Sequence, residues 1–297
     1  MTQRLLLDTL NIAGQQAFEF LARTRPDQPE FEAWIVETAA LPDPELVSRY
    51  NAKMGQGTAT ARAQSRLAEI EAMDDVLSPA QLSAWESEGF LVVPDAISKK
   101  EAGEVAELLW QSIAAEPDDV ETWYDADIEG IMIPLFQHAS LQYARRSPRI
   151  HKAFAQLWGT AELWVTIDRL GFNPPERADY PFSGSGLHWD VSLAQPIPFA
   201  TQAVLYLTDT STDQGAFRCV PGFHRHISEW LDSLGGAHPR EVDLSSEAQT
   251  VPGNAGDLVI WRQDLPHGAS PNRAGRPRLV QYINYYAPTL ETRSEWV

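Results

Sequence analysis

The chain has 297 residues, a formal net charge of −18 and one cysteine, Cys219. Its 43% apolar and 22% charged residues are those of a soluble globular protein that can bury a substantial core. The charge argues against a nucleic-acid partner or a polybasic membrane anchor, since both need clustered Lys and Arg, and a lone cysteine excludes an intrachain disulfide.

The opening Met-Thr-Gln-Arg-Leu-Leu-Leu-Asp has no long apolar run, and no later stretch is long enough to span a bilayer. A cytoplasmic protein with no membrane partner is expected. Residues 1–75 have helical character. Leu6, Leu10, Ala13, Ala17, Phe20 and Leu21 form one apolar stripe at helical spacing, broken by Arg25-Pro-Asp-Gln-Pro29. Further helices are expected over 31–40 and 60–73. An amphipathic helix ordinarily buries its stripe, so these residues are expected as a helical extension packed on a core rather than as a lid or dimerisation element.

Ser78-Pro-Ala-Gln81 starts a helix: a capping serine, proline at the first helical position and glutamine at the third. Gly89 ends it, and 90–93 follows as a buried strand. Ser98-Lys-Lys-Glu101 is a second capping box, leading a helix to about residue 115. The acidic run to residue 129 includes Glu116, Asp118, Asp119, Glu121, Asp125, Asp127 and Glu129. It lacks the ordered spacing and turn glycine of a calcium loop and is expected as a solvated face. Ser147-Pro148 starts another helix, which Gly159 ends, and 161–171 alternates as a strand.

Beyond residue 200 short strands crowd together, over 202–209, 216–220, 258–262 and 278–286. Turns such as Asp213-Gln-Gly215 and Pro252-Gly-Asn-Ala-Gly256 separate them. A helical insert is expected over 224–234, stopped by Gly235-Gly236. The strand spacing predicts an antiparallel sandwich or barrel.

Leu187-His-Trp-Asp-Val-Ser192 holds the central motif. In a strand, His188 and Asp190 project to one face with Trp189 on the other. With His267, in Leu265-Pro-His-Gly-Ala-Ser270, they form two imidazoles and a carboxylate, the ligand set of non-haem Fe(II) oxygenases; Zn²⁺ also accepts that set. A lone His-x-Asp arises easily by chance, so the later residues carry the case. Arg278 offers a planar fork for the distal carboxylate of a dicarboxylic co-substrate. Arg273 and Arg276 are near rivals, but Arg278 shares a strand face with Val280 and Tyr282. His224-x-His226, His138, His151 and His238 are alternative histidines. Gln202 shares a face with Val204 and Tyr206 and is a candidate co-substrate contact. Asn272 and Asp257 are expected as turn formers. Trp189, Phe182, Tyr180 and Trp261 are the aromatic candidates for a substrate pocket, although aromatics mostly fill cores.

The chain resembles the phytanoyl-CoA dioxygenase-like family over residues 77–288. The matching pieces are His188-Trp-Asp190, Gln214-Gly-Ala-Phe-Arg-Cys-Val-Pro-Gly-Phe-His-Arg225, Gly256-Asp-Leu-Val-Ile-Trp261, and His267-Gly268 through Asn272 to Arg278. Two positions depart from the family pattern. Ala269 stands where many relatives have a small hydroxylic residue, with Ser270 next, and Pro221-Gly-Phe-His224 replaces the frequent Pro-Gly-Ser-His. The resemblance implies a mostly β fold with flanking helices: a double-stranded β-helix core, or jelly roll, over 76–297 behind the helical extension of 1–75. It implies Fe(II) on His188, Asp190 and His267, 2-oxoglutarate anchored by Arg278, and O₂ as oxidant. The implied reaction attacks an unactivated C–H bond of a small-molecule substrate and releases succinate and CO₂. Related halogenases lack the carboxylate, so Asp190 favours hydroxylation, desaturation or ring chemistry. Two rival readings are a cupin-like metal enzyme that does not use 2-oxoglutarate and a non-catalytic jelly-roll binding protein.

Overall fold

A computed structural model of the chain describes residues 2–125, 128, 130–291, 293 and 296. The first five helices are α1 (Thr2–Thr9), α2 (Gly14–Thr24), α3 (Gln28–Ala39), α4 (Pro44–Lys53) and α5 (Ala61–Ala72). Then come α6 (Pro79–Glu88), β1 (Phe90–Val93), α7 (Lys99–Ser112), β2 (Met132–Ile133), α8 (Gln142–Arg145), α9 (Pro148–Trp158), β3 (Trp164–Val165) and β4 (Leu170–Asn173). The remainder is β5 (Thr201–Tyr206), β6 (Phe217–Cys219), α10 (Ile227–Ser233), β7 (Gln249–Val251), β8 (Leu258–Arg262), β9 (His267–Ala269), β10 (Arg278–Tyr282) and β11 (Tyr285–Tyr286).

These elements form two compact units. The first holds Met1–Val76, Phe136–Asp168 and Tyr285–Leu290; the second holds Leu77–Leu135, Arg169–Asn284 and Glu291–Val297. The second unit contains a six-stranded antiparallel sheet, in the order β1-β8-β5-β10-β4-β2, and a three-stranded one, β7-β6-β9. Its main core joins Val204, Tyr206, Val259, Trp261 and Val280 of the larger sheet to Phe217, Cys219 and Val251 of the smaller, so the two sheets share one apolar interior. Tyr206 ties them with polar bonds as well. Its hydroxyl donates to the Val251 carbonyl (2.6 Å) and accepts from the Phe217 amide (3.0 Å).

The first unit is helical apart from the β3–β11 pair. A buried polar network runs through it. Asp8 accepts from the Tyr286 hydroxyl (2.6 Å) and the Ile167 amide (3.0 Å), while Trp164 Nε1 donates to Thr9 Oγ1 (3.1 Å). Arg145 donates to the carbonyls of Phe136 and Asp168, and His151 Nε2 lies 2.9 Å from the Ala161 carbonyl. Burial pushes the Asp8 carboxyl up to about 6, against the Tyr286 bond and the Arg4 charge that pull it down. It pushes His151 down to about 4.

Both capping boxes form as expected, at Ser78–Gln81 and Ser98–Glu101, and Gly89 and Gly159 close their helices in the left-handed region. Several elements differ from expectation. The first apolar stripe is two helices, α1 and α2, parted near Asn11, which has a φ of 57°. Helix α4 was not foreseen; Asp43 caps it and Pro44 opens it. The expected strand over 161–171 is broken between β3 and β4, because side chains take its backbone groups: Asp8 accepts the Ile167 amide and Arg145 binds the Asp168 carbonyl. At 39% helix and 16% strand, the chain is mixed α/β with antiparallel sheets rather than mostly β. The strands are short, two to six residues each, and the regular elements of the first unit are helices apart from β3 and β11. No described helix is long and apolar enough to cross a membrane. Asp127 and Glu129 of the acidic run lie outside the described residues.

Candidate metal centre

Strand pairing brings the first two candidate ligands together. His188 and His267 exchange both backbone hydrogen bonds (2.9 and 3.0 Å) as one antiparallel bridge. This pairing is tight. A Cβ on Gly268 would meet the Gly186 carbonyl oxygen at 2.8 Å, so glycine is required after His267. The segment around His188 is not the strand expected from its alternation; beyond that bridge it leaves the sheet. The phase still holds, with Asp190 on the side of His188 and Trp189 turned into the core.

Nδ1 of His188 lies 2.8 Å from the Gly186 carbonyl, and Nδ1 of His267 lies 3.0 Å from the Leu265 carbonyl. A carbonyl only accepts, so each Nδ1 must carry the proton, and the neutral ring then presents a bare Nε2. Those two nitrogens face one carboxylate: His188 Nε2 is 3.5 Å from Asp190 Oδ1 and His267 Nε2 is 3.2 Å from Asp190 Oδ2. The three donor atoms lie within 4.8 Å of one another, the one such group of His, Cys, Asp or Glu found among the described residues. Three acceptors aimed at one point repel unless a cation joins them. Desolvation alone would raise the Asp190 carboxyl, yet the imidazoles of His188 and His267 beside it, which take up positive charge there, hold it well below the usual carboxylate range. Desolvation opposes charge on His188, yet Asp190 and the Gly186 carbonyl hold its pKa above that of a free imidazole. The centre favours positive charge between its ligands.

The supporting residues come from the large sheet. Gln202 and Trp261 are direct partners in the β5–β8 register. Trp261 Nε1 can only donate, and it donates to Gln202 Oε1 (3.2 Å). That orients the amide so that Gln202 Nε2 donates to Asp190 Oδ2 (2.7 Å). The Trp261 ring also lies 5.1 Å from the His267 ring.

Arg278 lies on β10 and is 2% exposed, yet its Nε and Nη2 have no hydrogen-bond partner. An unpartnered guanidinium is expensive to bury, and an anion is its natural complement. Its rivals are surface residues: Arg273 sits near Glu176 (3.5 Å) and Arg276 near Asp118 (3.7 Å). Ser270 Oγ is likewise buried without a partner. Both residues border Asn173, which pairs with Arg278 across the strands and donates from Nδ2 to the Ser270 carbonyl (3.2 Å). The donor set and this orphaned cation fit a divalent metal and a dicarboxylate.

The remaining candidates fall elsewhere. Trp189 is not positioned as pocket lining: it is 3% exposed, packs on Phe223 and Trp230, and donates to the Asp264 carbonyl. Tyr180 and Phe182 lie on the loop before His188, Tyr180 edge-on to Tyr124. His224 Nε2 lies 3.2 Å from the Glu86 carbonyl, and His226 precedes α10. Asn272 and Asp257 are turn formers: Asn272 Oδ1 accepts from the Ala274 amide and Asp257 from the Asn254 amide. No sequence signal flags Arg240, which hydrogen-bonds the backbone on either side of Asp190.

Residues 85–280 match the family model described as Phytanoyl-CoA dioxygenase (PhyH). A methylphosphonate hydroxylase of Gimesia maris is 23% identical over 226 residues, covering 72% of this chain and 83% of that protein. An ectoine dioxygenase of Bordetella parapertussis is 24% identical over 234 residues, covering 71% and 76%. Among solved structures, EctD from S. alaskensis with 2-oxoglutarate and 5-hydroxyectoine aligns with a TM-score of 0.52 at 19% identity, over 74% of this chain and 79% of that one. At that identity the likeness speaks for the fold.

Proposed function

The chain belongs to the phytanoyl-CoA dioxygenase family of Fe(II)- and 2-oxoglutarate-dependent oxygenases, and from that premise we propose that it hydroxylates an unactivated C–H bond of a small organic molecule, releasing succinate and CO₂. We assign His188, Asp190 and His267 as the ligands of Fe(II). The convergence of two bare imidazole nitrogens on one carboxylate carries this assignment. Three protein ligands leave positions on the metal for co-substrate and O₂. Bound there, iron supplies the oxidising chemistry, and the protein orients and shields it.

Arg278 pairs with the distal carboxylate of 2-oxoglutarate through the donors it leaves unused, and Ser270 supplies the hydroxyl that Ala269 lacks. Gln202, the candidate co-substrate contact, also holds Asp190 Oδ2, leaving Oδ1 toward His188. Trp261 locks Gln202 in that orientation. Tyr180 and Phe182 line the approach to the centre. The three-stranded sheet and its larger partner form the double-stranded β-helix, within an oxygenase domain of 76–297, and residues 1–75 extend it. The relatives named for methylphosphonate and ectoine direct the first substrate screen to small polar molecules.

The test is anaerobic. Fe(II) is added to metal-free protein, then 2-oxoglutarate, and the visible charge-transfer band of the chelate is recorded. The expected band is lost in His267→Ala and weakened in Arg278→Ala. Metal binding with no band would remove 2-oxoglutarate from the assignment and favour a cupin-like metal enzyme.

A further inference from the structure

Asp190 is the least protected of the three assigned ligands. Its side chain is 54% exposed, against 35% for His188 and 4% for His267. Its backbone also lacks a sheet, since the pairing with β9 ends at His188. A short side chain in that setting is only as well placed as the backbone beneath it.

The long connection from β6 to β7 supplies what the sheet does not. The chain bends at Asp190 and Val191, outside any strand, and the carbonyls on either side of the ligand are left to be held from elsewhere. Arg240 spans the two that flank Asp190: Nη1 donates to the Trp189 carbonyl (2.7 Å) and Nη2 to the Val191 carbonyl (2.6 Å). A planar, rigid fork suits such a pair, and a lysine ammonium does not. The same connection grips the segment through Trp189, whose ring lies 5.8 Å from both Phe223 and Trp230. Arg240 is itself held. Its amide donates to His238 Nδ1 (3.3 Å), and its guanidinium lies 4.9 Å from the Trp296 ring.

We infer that Arg240 is a positioning residue for Asp190, standing in for a neighbouring strand by clamping the carbonyls of Trp189 and Val191. The inference rests on the reading of His188, Asp190 and His267 as metal ligands. It assigns the β6–β7 connection a part in building the metal centre, although the connection contributes no ligand.

The test is a Co(II) titration of metal-free protein, followed by visible spectroscopy, for wild type, Arg240→Ala, Arg240→Lys, Asp190→Ala and the Arg240→Ala/Asp190→Ala double variant. Thermal unfolding is measured on each. Loss of a group that orients a ligand typically costs 10–100-fold in metal affinity. Arg240→Ala is therefore expected to raise the Co(II) dissociation constant by about that factor and to alter the spectrum, with Arg240→Lys falling between it and wild type. In the Asp190→Ala background, removing Arg240 is expected to change nothing further, because its effect passes through Asp190. Wild-type affinity and spectrum in Arg240→Ala, or an equal loss in both backgrounds, would overturn the proposal. If Asp190→Ala binds Co(II) as wild type does, the ligand assignment itself falls, and this inference with it. Should Arg240→Ala fail to fold, Arg240→Lys carries the same cycle.

Discussion

The metal centre of one unit and the buried polar network of the other are both clusters of titratable side chains, but they are built on opposite plans. Around Asp8, Arg145 and His151 each titratable group has a complementary partner: a hydroxyl for the carboxylate, carbonyls for both terminal nitrogens of the guanidinium (its Nε alone is unbonded), a carbonyl for the imidazole. Around Asp190 the imidazole nitrogens and the carboxylate are all acceptors aimed at a common point. Perturbed pKa values are often used to find active sites. Here they mark both places, and some of the strongest shifts lie in the closed network. The site is distinguished by the mismatch of its donors and acceptors, together with an unpartnered cation at Arg278 on a strand of the same unit.

The largest effect that sharpens this contrast is removal of a ligand. Asp190→Ala or His267→Ala should reduce succinate formation from 2-oxoglutarate to background; Asp190→Ala should leave thermal unfolding of the metal-free protein nearly unchanged, because it removes a half-exposed carboxylate, whereas His267→Ala also empties a buried position. Undiminished succinate in either variant would remove that residue from the ligand set. Next comes Arg278→Met. Truncating one partner of a buried ion pair costs about 2–5 kcal/mol, so the co-substrate dissociation constant should rise by about 30-fold or more. Without co-substrate the same variant should be at least as stable as wild type, because an unpaired buried charge has been removed. A lowered melting temperature would mean that Arg278 already has a partner.

The closed network should respond to pH instead. The raised Asp8 carboxyl, about 6 against 3.8, makes the folded state hold a proton that the unfolded chain releases. Its contribution to stability is therefore present below about pH 4 and lost as pH rises through 6, a change of about 3 kcal/mol. His151, about 4 against 6.5, has the opposite sign: its contribution is present above 6.5 and lost as pH falls through 4, by about 3 kcal/mol. The two nearly cancel in the wild type. Asp8→Asn should unmask His151 as a loss of stability between pH 6.5 and 4, read by denaturant unfolding at each pH; a flat profile would refute the pairing. The smallest effect is expected of Gln202→Ala, about a tenfold weakening of metal affinity by calorimetry. No change would show that Asp190 needs no help from β5.

Much of the site was legible before the fold. His188 and Asp190 are read as a pair from their i, i+2 spacing, His267 as the third candidate from its place in the family pattern, and Arg278 from strand phase, which separates it from Arg273 and Arg276. The capping boxes at Ser78 and Ser98 were legible for the same reason, since their partners lie three residues away. What was hidden depends on distant parts of the chain. Gln202 has the right strand and face, but only the β5–β8 register shows that Trp261 turns its amide toward Asp190. The interrupted strand after Ala161 depends on Asp8, far away in sequence. Arg240 lies in an irregular connection whose course no periodicity predicts. Trp189 misleads because its neighbours are ligands, while alternation sends it the other way.

The bridge between His188 and His267 has a further consequence, for the order of events during folding. The Asp190 carboxylate and the His267 ring are 77 positions apart in sequence, so the centre cannot be sketched by any local segment, and closing so long a loop is slow compared with forming a helix or hairpin. The ligands meet only when β9 finds its place. Metal uptake should therefore lag behind the appearance of helical signal in a refolding experiment, and a spectroscopically visible ion would serve as a clock for completion of the β structure.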